Sequence, residues 1–193
     1  MKRFLTLFVA AAVLMGLTAC EKENNDKTYG ELKIADETYV LNGATCSYLP
    51  SSSDDSMCYF ITLSTNVYWD GEGNFSEDPS LMANCTMVTL YTLCAHTTAI
   101  DKIAEGKYVY GDKWGNITHT GASYYLQFDE NGAEKEYMDF GQCTVESSQL
   151  EVEIKHISGK TYEIKFYGGV DIMGNPVSGY YKGEVEMFES ARP

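Results

Sequence analysis

The sequence is short of positive charge, of histidine and of helical patterning, and each shortage narrows what the chain can be. It has 14 Lys and Arg against 28 Asp and Glu, a formal net charge of −14. Nucleic acid and anionic membrane surfaces are held by Lys and Arg, so no nucleic-acid partner is expected. The three histidines, His96, His119 and His156, stand far apart, and there is no His-x-x-x-His or Cys-x-x-Cys. Zinc-type spacing is therefore missing, and neither a metal nor another cofactor is expected. No Gly-x-Ser-x-Gly and no phosphate-cradling glycine loop occurs. Carboxylates are plentiful but unpatterned, so no catalytic residue is nominated and the chain is not expected to be an enzyme.

Short β-rich runs are present instead, separated by Gly, Asn, Asp, Ser and Pro clusters. Candidate strands cover 30–34, 38–48, 57–65, 85–95, 106–111, 122–129, 135–145, 149–157, 160–169 and 178–188, with one short helical turn near Thr98 to Ala104. Leu150, Val152 and Ile154 alternate with Glu151, Glu153 and Lys155. After a Ser158-Gly159 turn the alternation resumes in Tyr162, Ile164 and Phe166 against Glu163 and Lys165. A period of two with charge on one side describes a sheet with one wet face. Asp129-Glu130-Asn131-Gly132 and Asp171 to Pro176 read as further turns. The fold class is all-β: one antiparallel meander of about 8–10 strands, which must curl or fold over as a β-sandwich or a lipocalin-like barrel.

The N-terminus differs in kind. Met1-Lys2-Arg3 is a positive head, Phe4 to Leu17 is apolar, and Leu17-Thr18-Ala19-Cys20 closes the segment. That order describes a secretory signal peptide over residues 1–19. Its apolar run is below the roughly 20 residues that span a bilayer. Leu-Thr-Ala-Cys resembles the lipobox of bacterial lipoproteins, which implies cleavage before Cys20 and acylation of that cysteine, with palmitate-type chains anchoring the protein to a membrane. Residues 20–28 then read as a lipidated polar tether and 29–190 as one all-β domain. The acidic tract from Glu21 to Asp26 resembles the surface-export signal of Bacteroides-type lipoproteins, which implies an outer-membrane, cell-surface location. Removing residues 1–19 takes Lys2 and Arg3 with it, leaving 14 − 2 = 12 basic against 28 acidic residues.

Of the six cysteines, Cys46, Cys58, Cys85, Cys94 and Cys143 lie in the domain. Five is odd, so at least one stays unpaired within the monomer. Cys85 and Cys94 along one strand would be roughly 30 Å apart, beyond a disulfide's reach. Cys46 and Cys58, in successive strands, could meet. The reading preferred is that most serve as small buried apolar side chains.

A wider resemblance adds to this. Ile103-Ala104-Glu105-Gly106-Lys107-Tyr108 resembles the "LPxGTY" element of small all-β lipoproteins of Bacteroides-type bacteria. Phe140-Gly141-Gln142-Cys143-Thr144-Val145 is similar to their later "SGTVTV" strand. Tyr162 to Phe166, Gly174-Asn175 and Gly179-Tyr180-Tyr181-Lys182-Gly183 resemble their closing hairpin. Glu105, where a small residue is usual, and the long 66–84 loop depart from the pattern. The resemblance implies a fold and a location, and lends no catalytic residues.

Aromatic residues make up 13% of the chain, with 15 tyrosines. In the adjacent pairs Tyr124-Tyr125 and Tyr180-Tyr181, strand geometry turns one ring outward. Tyr68 and Trp69 head the long loop, and Tyr108, Tyr110 and Trp114 cluster near another; of these, Tyr68, Trp69, Tyr110 and Trp114 are the candidate ligand-binding residues, suited to stacking on a glycan or a protein. In the same loop Asp70, Glu72 and Asn74 alternate like calcium ligands, but Phe75 and Leu81 stand where an EF-hand needs glycine and glutamate. Asp55-Ser56-Met57 resembles the motif at which these bacteria O-glycosylate exported proteins, which implies Ser56 as a modification site. The function expected is a non-enzymatic surface binding module. The alternatives are a lipocalin-like carrier of a small apolar ligand, a structural accessory subunit of an outer-membrane complex, and a hydrolase.

Overall fold

A computed structural model describes residues 28–50, 56–67, 79–94, 102–109, 119–120, 123–140 and 149–189. These hold thirteen strands: β1 Tyr29–Ile34, β2 Glu37–Val40, β3 Gly43–Pro50, β4 Met57–Ser64, β5 Thr86–Cys94, β6 Gly106–Val109, β7 His119–Thr120, β8 Ser123–Phe128, β9 Glu134–Phe140, β10 Glu151–Ser158, β11 Thr161–Val170, β12 Pro176–Glu184 and β13 Glu186–Glu189. A 3-10 turn at Pro79–Leu81 is the one helical element among the described residues. Lys102, Ile103 and Ala104 are not helical, so that part of the expected turn is corrected; Thr98 to Asp101 lie outside the described residues.

The strands form two six-stranded sheets packed face to face, and they do not close into a barrel. In hydrogen-bonding order the first is β13-β3-β4-β5-β8-β9 and the second is β6-β10-β11-β12-β1-β2. The two-residue β7 joins them: it pairs with β5 through Thr92↔Thr120 and with β6 through Val109↔His119. The hydrogen-bonded path enters the second sheet there and ends at β2 without returning to β13. Of the two architectures the sequence leaves open, the sandwich forms. Two expected strands are each divided: 38–48 into β2 and β3, and 178–188 into β12 and β13. Both divisions are crossings between sheets. Leu41 donates its N–H to Gly30 O of the second sheet, and Asn42 donates to Ser64 O of the first. Val185 alone separates β12 from β13, which runs parallel to β3 rather than antiparallel as a meander requires.

Alternation decides the core. Leu150, Val152, Ile154, Tyr162, Ile164 and Phe166 are buried, as their period predicts, and face Ala44, Cys46, Ile61, Leu63, Val88 and Leu90 of the first sheet. Of the adjacent tyrosines, Tyr125 and Tyr181 turn inward while Tyr124 and Tyr180 stay partly exposed. A buried tyrosine needs a partner for its hydroxyl, and each of the five most buried has one. Tyr59 and Tyr108 donate to Lys102 O and Ala104 O at 3.4 and 2.5 Å, and Tyr162 OH accepts from Ile103 N at 3.1 Å. Tyr181 donates to Glu184 O at 2.8 Å, and Tyr125 donates to Asp171 Oδ2 at 3.0 Å. Three core hydroxyls thus hold the backbone of residues 102–104 just ahead of β6. Burial, first of all, pushes the phenol of Tyr181 up to about 12.

Cys46, Cys58, Cys85 and Cys94 are free thiols and buried. The encounter allowed between Cys46 and Cys58 does not occur, because register sets Cys46 opposite Ile61 and Cys58 opposite Leu49. The odd offset also turns the two side chains to opposite faces of the sheet. Cys143 lies outside the described residues.

The β8–β9 hairpin turns on Asp129, whose Oδ1 accepts from the N–H groups of Asn131 and Ala133 at 2.8 and 3.0 Å. The Ala133 N–H, then that of Asn131, holds this carboxyl below its ordinary range. A folded-state pKa below the unfolded one stabilises the turn above the unfolded value, and that contribution is lost as pH falls through the folded value. Amide exchange at Asn131 and Ala133, followed by NMR from pH 6 downward, is expected to accelerate over the neighbouring amides only in the acid range below the ordinary Asp pKa of about 3.9. In Asp129→Ala that pH dependence disappears.

Candidate functional site

The outer faces of the two sheets differ in chemistry, and the difference follows from the even-numbered spacing of their charged residues. In the second sheet the charged and aromatic residues turned away from the core are Lys107 on β6, Glu151, Glu153 and Lys155 on β10, Glu163, Lys165 and Tyr167 on β11, Tyr180, Lys182 and Glu184 on β12, and Tyr29, Glu31 and Lys33 on β1. Pairing sets them in rows. One row runs Lys107–Glu153–Lys165–Tyr180–Glu31–Val40 across all six strands; beside it runs Lys155–Glu163–Lys182–Tyr29. The face carries five lysines and five glutamates, 5 − 5 = 0, on a chain whose net charge is −14.

The charges on this face hold one another in place. Lys107 Nζ lies 2.5 Å from Glu151, Lys165 Nζ 2.7 Å from Glu163 and Lys33 Nζ 2.9 Å from Glu31. Glu151 is held below the ordinary carboxylate range by Lys107 and then by the Tyr167 hydroxyl, and Glu163 by Lys165 first. The same contacts raise Lys107 and Lys165. These pairs are screened by solvent, so they orient the side chains more than they stabilise the fold. Three rings stand among them. Tyr167 donates to Glu153 Oε1 at 2.9 Å and has Lys107 Nζ 5.7 Å from its centroid. Lys165 Nζ is 5.7 Å from the Tyr180 ring, and Tyr180 lies 5.9 Å from Tyr29, tilted by 49°. Tyr29 is 58% and Tyr167 39% exposed. Between β6 and β11 a groove of about 260 Å³ crosses β10, with Gly106 at its rim and Lys107, Glu153, Lys155, Glu163 and Lys165 along it.

The outer face of the first sheet is nearly uncharged. Its rows include Phe188–Ser47–Phe60–Tyr91 and Thr45–Thr62–Thr89–Tyr124, with Asp139 and Glu186 at the margins.

Tyr68, Trp69, Tyr110 and Trp114 lie outside the described residues, as does Cys20. Ser56 is only 8% exposed, so a transferase could not reach its hydroxyl without displacing what covers it. His156 is a strand-end residue: its Nε2 lies 2.8 Å from Gly159 O across the β10–β11 turn. Glu105, the departure from the lipoprotein pattern, accepts the His156 N–H at 2.7 Å. The described residues hold no group of His, Cys, Asp and Glu able to bind a metal. The rings that the structure does bring together, Tyr29, Tyr167 and Tyr180, were not singled out by aromatic clustering. Parity does expect one outward ring in the Tyr180-Tyr181 pair, and the structure makes it Tyr180; the same reasoning could have found Tyr167, because Tyr162, Ile164 and Phe166 inward force it outward. Comparison of the chain with protein-family models, with curated proteins and with solved structures gave no match.

Proposed function

We propose that the chain is an exported lipoprotein, acylated at Cys20 and displayed on the outer membrane, that works as a non-enzymatic binding module for a glycan or a protein. The observation that carries the binding half is the outer face of the second sheet, where rings and near-balanced charge replace the acidic surface expected of this composition. Aromatic residues with polar tips, flanked by fixed donors and acceptors, are the means by which surfaces hold ligands. Its carboxylates favour binding over acid–base work. Glu163 and Glu151 are both held low by lysines, whereas a general acid at neutral pH needs a raised carboxyl. The carrier alternative is the weaker one, since Tyr59, Tyr108, Phe140 and Phe166 fill the space between the sheets where a small apolar cargo would lie.

The address rests on Leu17-Thr18-Ala19-Cys20. Cells fed an alkyne fatty acid are expected to label the wild-type protein, which then partitions with membranes. Cys20→Ala should lose both label and partitioning. A labelled or membrane-bound Cys20→Ala chain sinks the anchor, and with it the location.

A further inference from the structure

Resting on the reading of the chain as a binding module, we infer that its ligand is a polysaccharide, seated on a diagonal of tyrosines across β11, β12 and β1. The diagonal is Tyr167, Tyr180 and Tyr29. Tyr180 faces Lys165, two residues before Tyr167 on the neighbouring strand, and Tyr29 faces Lys182, two residues after Tyr180. Diagonal neighbours on a sheet are about 7–8 Å apart, and the ring centroids of Tyr29 and Tyr180 are 5.9 Å apart. A pyranose has a flat side of C–H groups and a rim of hydroxyls. The first suits an exposed ring, and the second suits alternating donors and acceptors within reach of it. Both are supplied: Lys107, Lys165 and Lys182 donate and Glu153 and Glu163 accept beside the rings, with Lys107 held by Glu151, Lys165 by Glu163 and Glu153 by the Tyr167 hydroxyl. The groove of about 260 Å³ over β10 lies to one side of the diagonal, in the rows that run from Tyr180 through Lys165 and Glu153 and from Tyr29 through Lys182 and Glu163, so a chain of sugars on those rings can reach it along either row.

Two observations favour this over a protein partner. A protein hot spot is a desolvated apolar centre within a polar rim, whereas here charge occupies the centre and the apolar Val40 and Val109 stand at the margins. The face is also extended and shallow, crossing six strands, which fits a polymer lying along it better than a single protruding anchor. Its near-neutral balance tolerates a carboxylated glycan that the rest of the acidic chain would repel.

The test is native affinity electrophoresis of the full mature chain, carrying Cys20→Ser for solubility, through gels holding xylan, mannan, mixed-linkage β-glucan, polygalacturonate or alginate. At least one polymer is expected to retard the protein. Each ring replaced, in Tyr167→Thr and Tyr180→Thr, should weaken that retardation roughly tenfold, in keeping with the energy of a ring contact. Threonine keeps strand propensity, and unchanged thermal unfolding of each variant excludes a folding defect. Tyr137→Thr, 48% exposed on the other sheet, should leave retardation unchanged. Lys165→Gln provides a second probe that spares the rings, and should reduce binding of the uronic-acid polymers more than of the neutral ones. Retardation that survives Tyr167→Thr combined with Tyr180→Thr overturns the tyrosine platform and leaves a binding module with its site elsewhere. No retardation by any of the five polymers overturns the glycan assignment, while the fatty-acid labelling of Cys20 decides the anchor separately.

Discussion

Asp171→Ala is expected to destabilise the domain by about 3–5 kcal/mol, lowering the unfolding midpoint by roughly 8–15 °C for a domain of this size. Asp171 is fully buried between the sheets. Its Oδ1 accepts from the N–H groups of Met173 and Asn175 at 2.9 and 2.8 Å, and its Oδ2 accepts from Tyr125 OH and Asn175 Nδ2, both at 3.0 Å. Alanine leaves four donors without their acceptor, and each buried donor so stranded costs about 1–3 kcal/mol before the loop relaxes toward water. The carboxylate also links the sheets: the 171–175 turn belongs to the second, Tyr125 to the first, and Phe140 bridges directly to Asp171. Asp171→Asn, which keeps the shape and one acceptor oxygen, should fall between alanine and wild type. Tyr125→Phe alone should cost about 1 kcal/mol and couple to Asp171 in a double-mutant cycle. Urea unfolding decides it. An Asp171→Ala midpoint within experimental error of wild type would mean that the turn is held by its backbone bonds alone.

Gly168→Ala is the second large effect, expected at about 2–4 kcal/mol. Gly168 lies where the β11–β12 register shifts between Phe166 and Gly169, with a φ of +74° that L side chains rarely adopt. An added Cβ would also stand 2.5 Å from the Gln149 carbonyl oxygen, which is backbone and cannot swing aside. Moving Gln149 breaks its N–H bond to Gly168 O at 2.9 Å, just ahead of β10. Gly174→Ala separates the two causes: φ is +87° there, but nothing lies within 4 Å of the added carbon. That substitution should cost only the conformational part, about 1–2 kcal/mol. Equal losses at Gly168 and Gly174 would mean that close approach to Gln149 contributes nothing.

Much of the fold is legible in the chain because a period of two is a local property. The inward set of β10 and β11, the single buried tyrosine of each adjacent pair, and the turns at Asp129, Gly159 and Asp171 all follow from residues within a few positions of one another. What escapes local reading is where the chain changes sheet. Val185 continues an inward alternation that runs from Tyr181 and Gly183 to the half-buried Met187, and nothing around it distinguishes a strand that continues from one that passes into the opposite layer. The candidate site is hidden for the same reason. Its rows combine side chains from both ends of the chain, and only register brings Tyr29 beside Tyr180. Aromatic density pointed to Tyr68, Trp69, Tyr110 and Trp114, whereas the rings assembled by pairing are spread singly among charges. Even the element around Ile103 has a cause invisible in its own letters: hydroxyls of Tyr59, Tyr108 and Tyr162 converge on its backbone.

The four interior sulfhydryls carry a consequence for the surroundings in which this protein can persist. Cys46, Cys58, Cys85 and Cys94 are all unbridged, so no disulfide holds the described strands together. Cohesion of the described residues then comes from packed hydrocarbon, rings and main-chain ladders, none of which exchanges electrons with its environment. Anaerobic, reducing and oxygenated surroundings should therefore find the same packed sheets, and their assembly needs no oxidase to complete it.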